Sequence, residues 1–197
     1  MYILSRKYLL NYFSIYSLIS LKFRFIYALF YQIQTKTLNA ILKNYGEVYQ
    51  YVGDEIVITW KLDKGLMKNH CVQCFFDMKT ALSKQRKTFQ KKYNTIPDFK
   101  AALHFGQVTS GEIGALKKDI FFTGDVLNTT ARILGLTTAL KEDLLISEPL
   151  SRKLKPSEKY SLEDLGNQTL KGKTKSIQIF AVNEIQSNSI KTPAFGS

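Results

Sequence analysis

The stretch EVYQYVGDEIVITW, residues 47–60, decides how this chain folds. Strand-forming residues run from Glu47 to Val52, break at Gly53-Asp54, and resume as Ile-Val-Ile-Thr-Trp. That is the pattern of a β-hairpin with a tight turn. Asp54 and Glu55 put two carboxylates at the tip of an otherwise apolar element. Gly-Asp turns are common, so the turn alone assigns no function.

Outward from the hairpin, helical and strand patterns alternate. Residues 27–44 carry Leu29, Phe30, Ile33, Leu38, Ile41 and Leu42 close to helical spacing and end before Gly46, which predicts a helix. Residues 71–93 place Cys71, Cys74, Phe75, Met78, Leu82 and Phe89 on one face of a second long helix, opposite a lysine-rich face. FKAALHFGQVTSGEIG alternates as a strand and then meets glycines 106, 111 and 114, as a strand followed by a loop or second strand would. VLNTTARILGLT returns to helical spacing, DLLIS and SIQIFAV read as short strands, and the tail after Asn183 is polar. The result is an α/β chain with one domain and no internal repeat.

The chain has 197 residues, 45% hydrophobic and 22% charged, the composition of a globular domain. Its formal net charge of +12 favours a polyanionic partner: nucleic acid, an acidic membrane or a phosphorylated small molecule. Residues 1–46 hold six basic residues and no Asp or Glu, so no carboxylate precedes Glu47. The aromatic N-terminal stretch is broken by Arg6, Lys7, Lys22 and Arg24. Its uncharged run, residues 8–21, is shorter than the ~20 residues of a spanning helix and has no signal-peptide cleavage pattern. A soluble or peripheral helix is expected there. Cys71 and Cys74 lie beside His70, and with His104 the only other histidine they read as core positions one helical turn apart rather than a zinc site.

Four blocks, GEVYQYVGDEIVITW, FKAALHFGQVTSGEIG, DIFFTGDVLNTTARI and DLGNQTLKGKTKSIQIFAV, resemble in order and separation the catalytic domain of class III adenylate/guanylate cyclases. The resemblance divides the chain into an atypical basic and aromatic segment (1–20), a cyclase catalytic domain (21–183) and a polar tail (184–197). It implies a ferredoxin-like α+β fold, a mostly antiparallel central sheet flanked by helices. It further implies a head-to-tail homodimer in the cytoplasm with active sites at the interface. There ATP or GTP would be cyclised to the 3′,5′-cyclic nucleotide and pyrophosphate with two Mg²⁺ or Mn²⁺ ions. Residue by residue, Asp54 matches a metal-binding aspartate, Asn128 the asparagine that orients the ribose, and Arg132 the arginine that stabilises α-phosphate charge. Lys171 matches the lysine on the terminal phosphates, with Lys173 as its substitute. Glu55, the strand neighbour of Asp54, is expected to be structural or solvent-facing.

The chain departs from the family in three places. Base-reading positions hold Gln50, where adenylate cyclases have lysine, and Phe121, where many have Asp or Thr, so the choice between ATP and GTP is open. The opening strand with the first metal aspartate has no acidic counterpart. Either the protein is a catalytically impaired pseudo-cyclase acting as a dimerisation or regulatory module, or an alternative start or frameshift replaces the first 20 or so residues. The second is favoured, because the resemblance resumes near Leu21. A diguanylate cyclase also ends a hairpin motif in Gly-Asp-Glu, but Val52 stands where that family has a second glycine and TGDVLNTTAR has no counterpart there. The Lys84, Arg86, Lys87, Lys91 and Lys92 cluster suits a solvated helix face as well as a nucleic-acid surface, so no nucleic-acid partner is expected. Membrane association is expected only through a missing upstream region.

Overall fold

The computed structural model of the chain describes residues 4–14, 23–113 and 119–185. Eight strands form one sheet: β1 (Leu4–Ser14), β2 (Glu47–Val52), β3 (Glu55–Lys61), β4 (Lys100–Ile113), β5 (Asp119–Thr123), β6 (Leu144–Ser147), β7 (Tyr160–Gln168) and β8 (Ile177–Glu184). Their order is β2-β3-β1-β4-β6-β8-β7, with β5 paired to the far end of β4. Among the described strands only β4 and β6 run parallel. The helices are α1 (Phe23–Lys43), α2 (Leu62–Leu66), α3 (His70–Ser83), α4 (Arg86–Tyr93), α5 (Asp125–Leu140) and α6 (Glu148–Ser151). The mixed α+β architecture expected from the resemblance is therefore the one observed.

Strand alternation assigns the two faces. Ile56, Ile58 and Trp60 of β3, with Ala101 and Leu103 of β4, join the core formed with α1 and α3. The intervening Val57 and Ala102 turn to the other face, where α5 contributes Val126, Ile133 and Leu134. α5 can lie close to the sheet because position 106 is glycine: a Cβ there would sit 2.4 Å from Val126 Cγ2. Trp60 anchors the first face, its indole N–H donating to the Asn44 carbonyl at 2.8 Å.

Two expectations are corrected. The stretch expected to be a peripheral helix includes β1, an interior strand paired antiparallel with both β3 and β4. So a strand does open the sheet, and what it lacks is a carboxylate. The long helix expected over 71–93 is two helices, interrupted at Lys84-Gln85. No described helix is long and apolar enough to cross a membrane. Cys71 and Cys74 are buried, as expected, and burial pushes the Cys71 thiol up to about 12, leaving it an inert core group at neutral pH.

Candidate active site

The hairpin supplies one group of predicted residues. Gly53, at φ 60°, makes the turn and leaves Asp54 exposed at its tip. Among the described residues Asp54 makes no hydrogen bond or ion pair. Glu55 is only half-exposed; burial, then the charge of Asp54, raises its carboxyl above the ordinary range. The end of β1 closes against this turn, Ser14 opposite Glu55 and Phe13 opposite Ile56. Gln50 lies half-buried on β2, opposite Val57 and just after a bulge at Tyr49. The bulge sends Tyr49 under β5, where its hydroxyl accepts from the Phe122 N–H at 3.0 Å and its ring packs on Phe122 at 4.7 Å.

The start of α5 and the β7–β8 connection form a second group. Asn128 and Arg132 lie four residues apart and share a helical face; Asn128 is exposed and Arg132 half-buried. The Arg132 guanidinium packs on Gly172: a Cβ there would lie 3.5 Å from Arg132 Nη2. Gly172 also holds φ 71°, so an L side chain would be strained there, although its Cβ would meet Arg132 only at ordinary contact distance. Lys171 is exposed and, among the described residues, unpaired. Lys173 instead donates to Asp125 in the first turn of α5, and Thr129 donates to the same carboxylate oxygen at 3.1 Å. The Lys173 hydrogen bond holds the Asp125 carboxyl below its usual range. Behind this pair lies His104, its Nδ1 2.7 Å from Ser147 Oγ; burial pushes the imidazole down to about 4, so it is neutral at physiological pH.

The description "Adenylate and Guanylate cyclase catalytic domain" matches residues 24–184 of this chain. The chain belongs to that family. Over 142 residues it is 37% identical to Adenylate cyclase 2 of Rhizobium meliloti, covering 72% of this chain and 39% of that protein. Over 84 residues it is 31% identical to the photoactivated adenylate cyclase subunit alpha of Euglena gracilis, covering 43% of this chain and 8% of that one. The chain thus spans about two fifths of the Rhizobium protein's length. Among solved structures, the adenylyl cyclase CyaB from P. aeruginosa superposes with a TM-score of 0.79 at 18% identity, covering 96% of this chain and 100% of that one. A guanylate cyclase domain from Catenaria anguillulae gives 0.72 at 16% identity, covering 91% and 98%.

Within this cyclase fold, Arg132, Lys171 and Lys173 gather around one loop, whereas Asp54 and Gln50 do not join them. Four strand spacings separate β3 from β8, about 20 Å. The hairpin tip shares its end of the sheet with the start of β4, while the residues before β8 lie at the opposite end, roughly 20 Å further along the strands. Phe121 sits on β5 opposite Gly111. Asp125, Thr129 and Gly172 were not singled out from the sequence. An acid at the first helical position, beside a Lys-Gly-Lys turn, was the available signal.

Proposed function

We propose that this chain is the catalytic domain of a nucleotide cyclase that converts ATP or GTP to the 3′,5′-cyclic nucleotide and pyrophosphate between two copies of itself. The observation that carries the reading is the packing of Arg132 against the Lys171-Gly172-Lys173 turn, which collects cationic donors at one place. In the reaction the ribose 3′-hydroxyl gives up its proton to solvent as its oxygen attacks the α-phosphorus, and the bond from that phosphorus to the oxygen bridging it to the β-phosphate breaks. Pyrophosphate leaves with the electron pair. Lys171, unpaired, binds the terminal phosphates. Lys173, committed to Asp125, braces the turn, which favours Lys171 over its substitute. Arg132 stabilises the charge that builds on the α-phosphate, and Asn128 holds the ribose.

The distance between the two groups supports a dimer: Asp54 meets Arg132 only if a second copy brings its hairpin across. Asp54 suits one Mg²⁺ or Mn²⁺ shared with substrate phosphates. The described residues include no cluster of three His, Cys, Asp or Glu, and β1 has no acid, so they do not fit a carboxylate-bridged pair of ions. When bound, a divalent ion there supplies charge neutralisation to the phosphates. The same observation favours a second reading, a cyclase fold kept as a dimerisation or regulatory module.

Metal-dependent formation of cyclic AMP and cyclic GMP, with nucleotide binding measured in parallel, separates the two. Slow turnover that Arg132→Ala abolishes supports the cyclase; nucleotide binding with no turnover supports the module; neither overturns the site. The sequence relatives are adenylate cyclases, which makes ATP the first substrate to test. Gln50 both donates and accepts hydrogen bonds and Phe121 does neither, so discrimination between ATP and GTP is expected to stay below about a thousandfold.

A further inference from the structure

Away from that site, α1 and α3 flank an open groove of about 360 Å³ that no residue of the candidate active site lines. The helices run antiparallel: the Asn44 side chain meets His70, and Cys74 meets the carbonyl of Ala40. Ala40 and Ala81, small residues on facing helices, leave the space open. At one end Lys43 is neutralised by Asp77, at 3.0 Å. Burial opposes ionisation of Asp77, but hydrogen bonds from Asn44, Lys43 and Gln73 outweigh it and hold the carboxyl below its usual range. The antiparallel pairing then brings Lys36 and Lys84 to the other end, beside Thr80 and Gln85. Both are exposed, and neither meets a carboxylate among the described residues. Two lysines, a hydroxyl and an amide thus line the same groove, and its one carboxylate, Asp77, is paired with Lys43.

We infer that this groove binds a small soluble phosphorylated anion, its phosphate held by Lys36 and Lys84 and its remainder lying over Ala40 and Ala81. The volume falls within the roughly 300–1,000 Å³ of small-molecule sites. The charge asymmetry orients the ligand: a phosphate is attracted to the lysine end, while the Lys43–Asp77 pair at the other end carries no net charge. The inference does not depend on cyclase activity.

Inorganic pyrophosphate is the probe, and amide NMR is the readout because it locates binding. Titration into the intact protein should move the amides of residues 80–86. Lys36→Ala with Lys84→Ala should weaken that response at least about tenfold, since two charge-assisted hydrogen bonds are removed. Lys171→Ala, which affects the proposed substrate site alone, should leave it intact. Ala81→Leu keeps both lysines and fills the floor, and should also abolish it. No shift at residues 80–86, a shift that survives the double lysine substitution, or one that survives Ala81→Leu overturns the inference; the last would mean diffuse charge attraction without a site.

Discussion

The two halves of the candidate site differ in what holds them. Asp54 stands on a turn at the outer hairpin, exposed and without a hydrogen-bond or ion-pair partner among the described residues. Arg132 and Lys173 are fastened to their surroundings, one against Gly172 and the other to Asp125, with Thr129 and the neutral His104 alongside. In the proposed site the cationic half is organised within one chain, whereas the hairpin half has no such support among the described residues. This is the expected division for a site assembled by two copies: the cationic cluster must be prevented from repelling itself apart, while a lone solvated carboxylate needs no support.

The sharpest way to break this comparison is to separate the halves genetically. Asp54→Ala and Arg132→Ala chains, each inactive alone, should regain part of the activity when mixed, because one mixed interface keeps both intact halves. This requires a chain in which the first carboxylate is supplied. Mixed dimers that stay inactive would count against a shared site.

Supplying that carboxylate tests the hairpin half. Phe13 and Ser14 end β1 beside the turn, and neighbouring strand residues face opposite ways. Of Phe13→Asp and Ser14→Asp, one should raise metal-dependent turnover by at least about tenfold, and the other should not. Equal, robust turnover without either substitution would show that another group already fills the role.

The other half is probed by pH. His104 titrates near its ordinary value of 6.5 when unfolded and at about 4 when folded, so between these values the unfolded chain binds more protons. Stability should therefore fall as pH drops from 6.5 towards 4, by up to about 3 kcal/mol from this group. Urea midpoints at pH 7 and pH 4.5 should differ less in His104→Gln than in the parent. Asp125, with its carboxyl lowered by Lys173, acts below this window, and its side chain is largely exposed, which makes its share small.

The smallest expected effect is at the turn. Gly172→Ala must adopt a positive φ in the turn that Arg132 touches, costing about 1 kcal/mol in a thermal or urea melt. Turnover should drop by more than stability explains. An unchanged melt and unchanged turnover would show that Arg132 does not rest on this turn.

Much of the fold was legible where one face of an element is wet and the other dry. The hairpin, α1 and α5 follow their periodicities, and all three appear within a few residues of the expected bounds. β1 was not legible because LSRKYLLNYFS reads as an aromatic run interrupted by charge, without the regular apolar/polar alternation that marks a half-buried strand. The break between α3 and α4 was hidden because Leu82 and Phe89 are seven residues apart and stay in phase across it. β7 was missed for a different reason. It is an edge strand, polar and largely exposed, with Tyr160 its one fully buried residue. At the site, Asn128 and Arg132 were picked out by the family resemblance of TGDVLNTTAR, and their spacing of four predicted the shared face of one helix on which the structure has them. The separation of Asp54 from them was not legible, because strand order is decided by pairings between residues far apart in the chain.

The position of β1 also bears on how the chain reaches this fold. Ser14 must find Glu55 and Leu4 must find Ser110, contacts spanning much of the sequence, before β3 and β4 become neighbours of the same strand. Such long loops are closed late and slowly. Until then β3 and β4 are two open edges rich in Val, Ile, Leu and Ala, the kind of surface that pairs with other chains. β1, which precedes the other described strands in the chain, is thus the wedge that seals the sheet between β3 and β4. Substitutions that weaken its pairing are therefore expected to raise aggregation during folding, apart from any role beside Asp54.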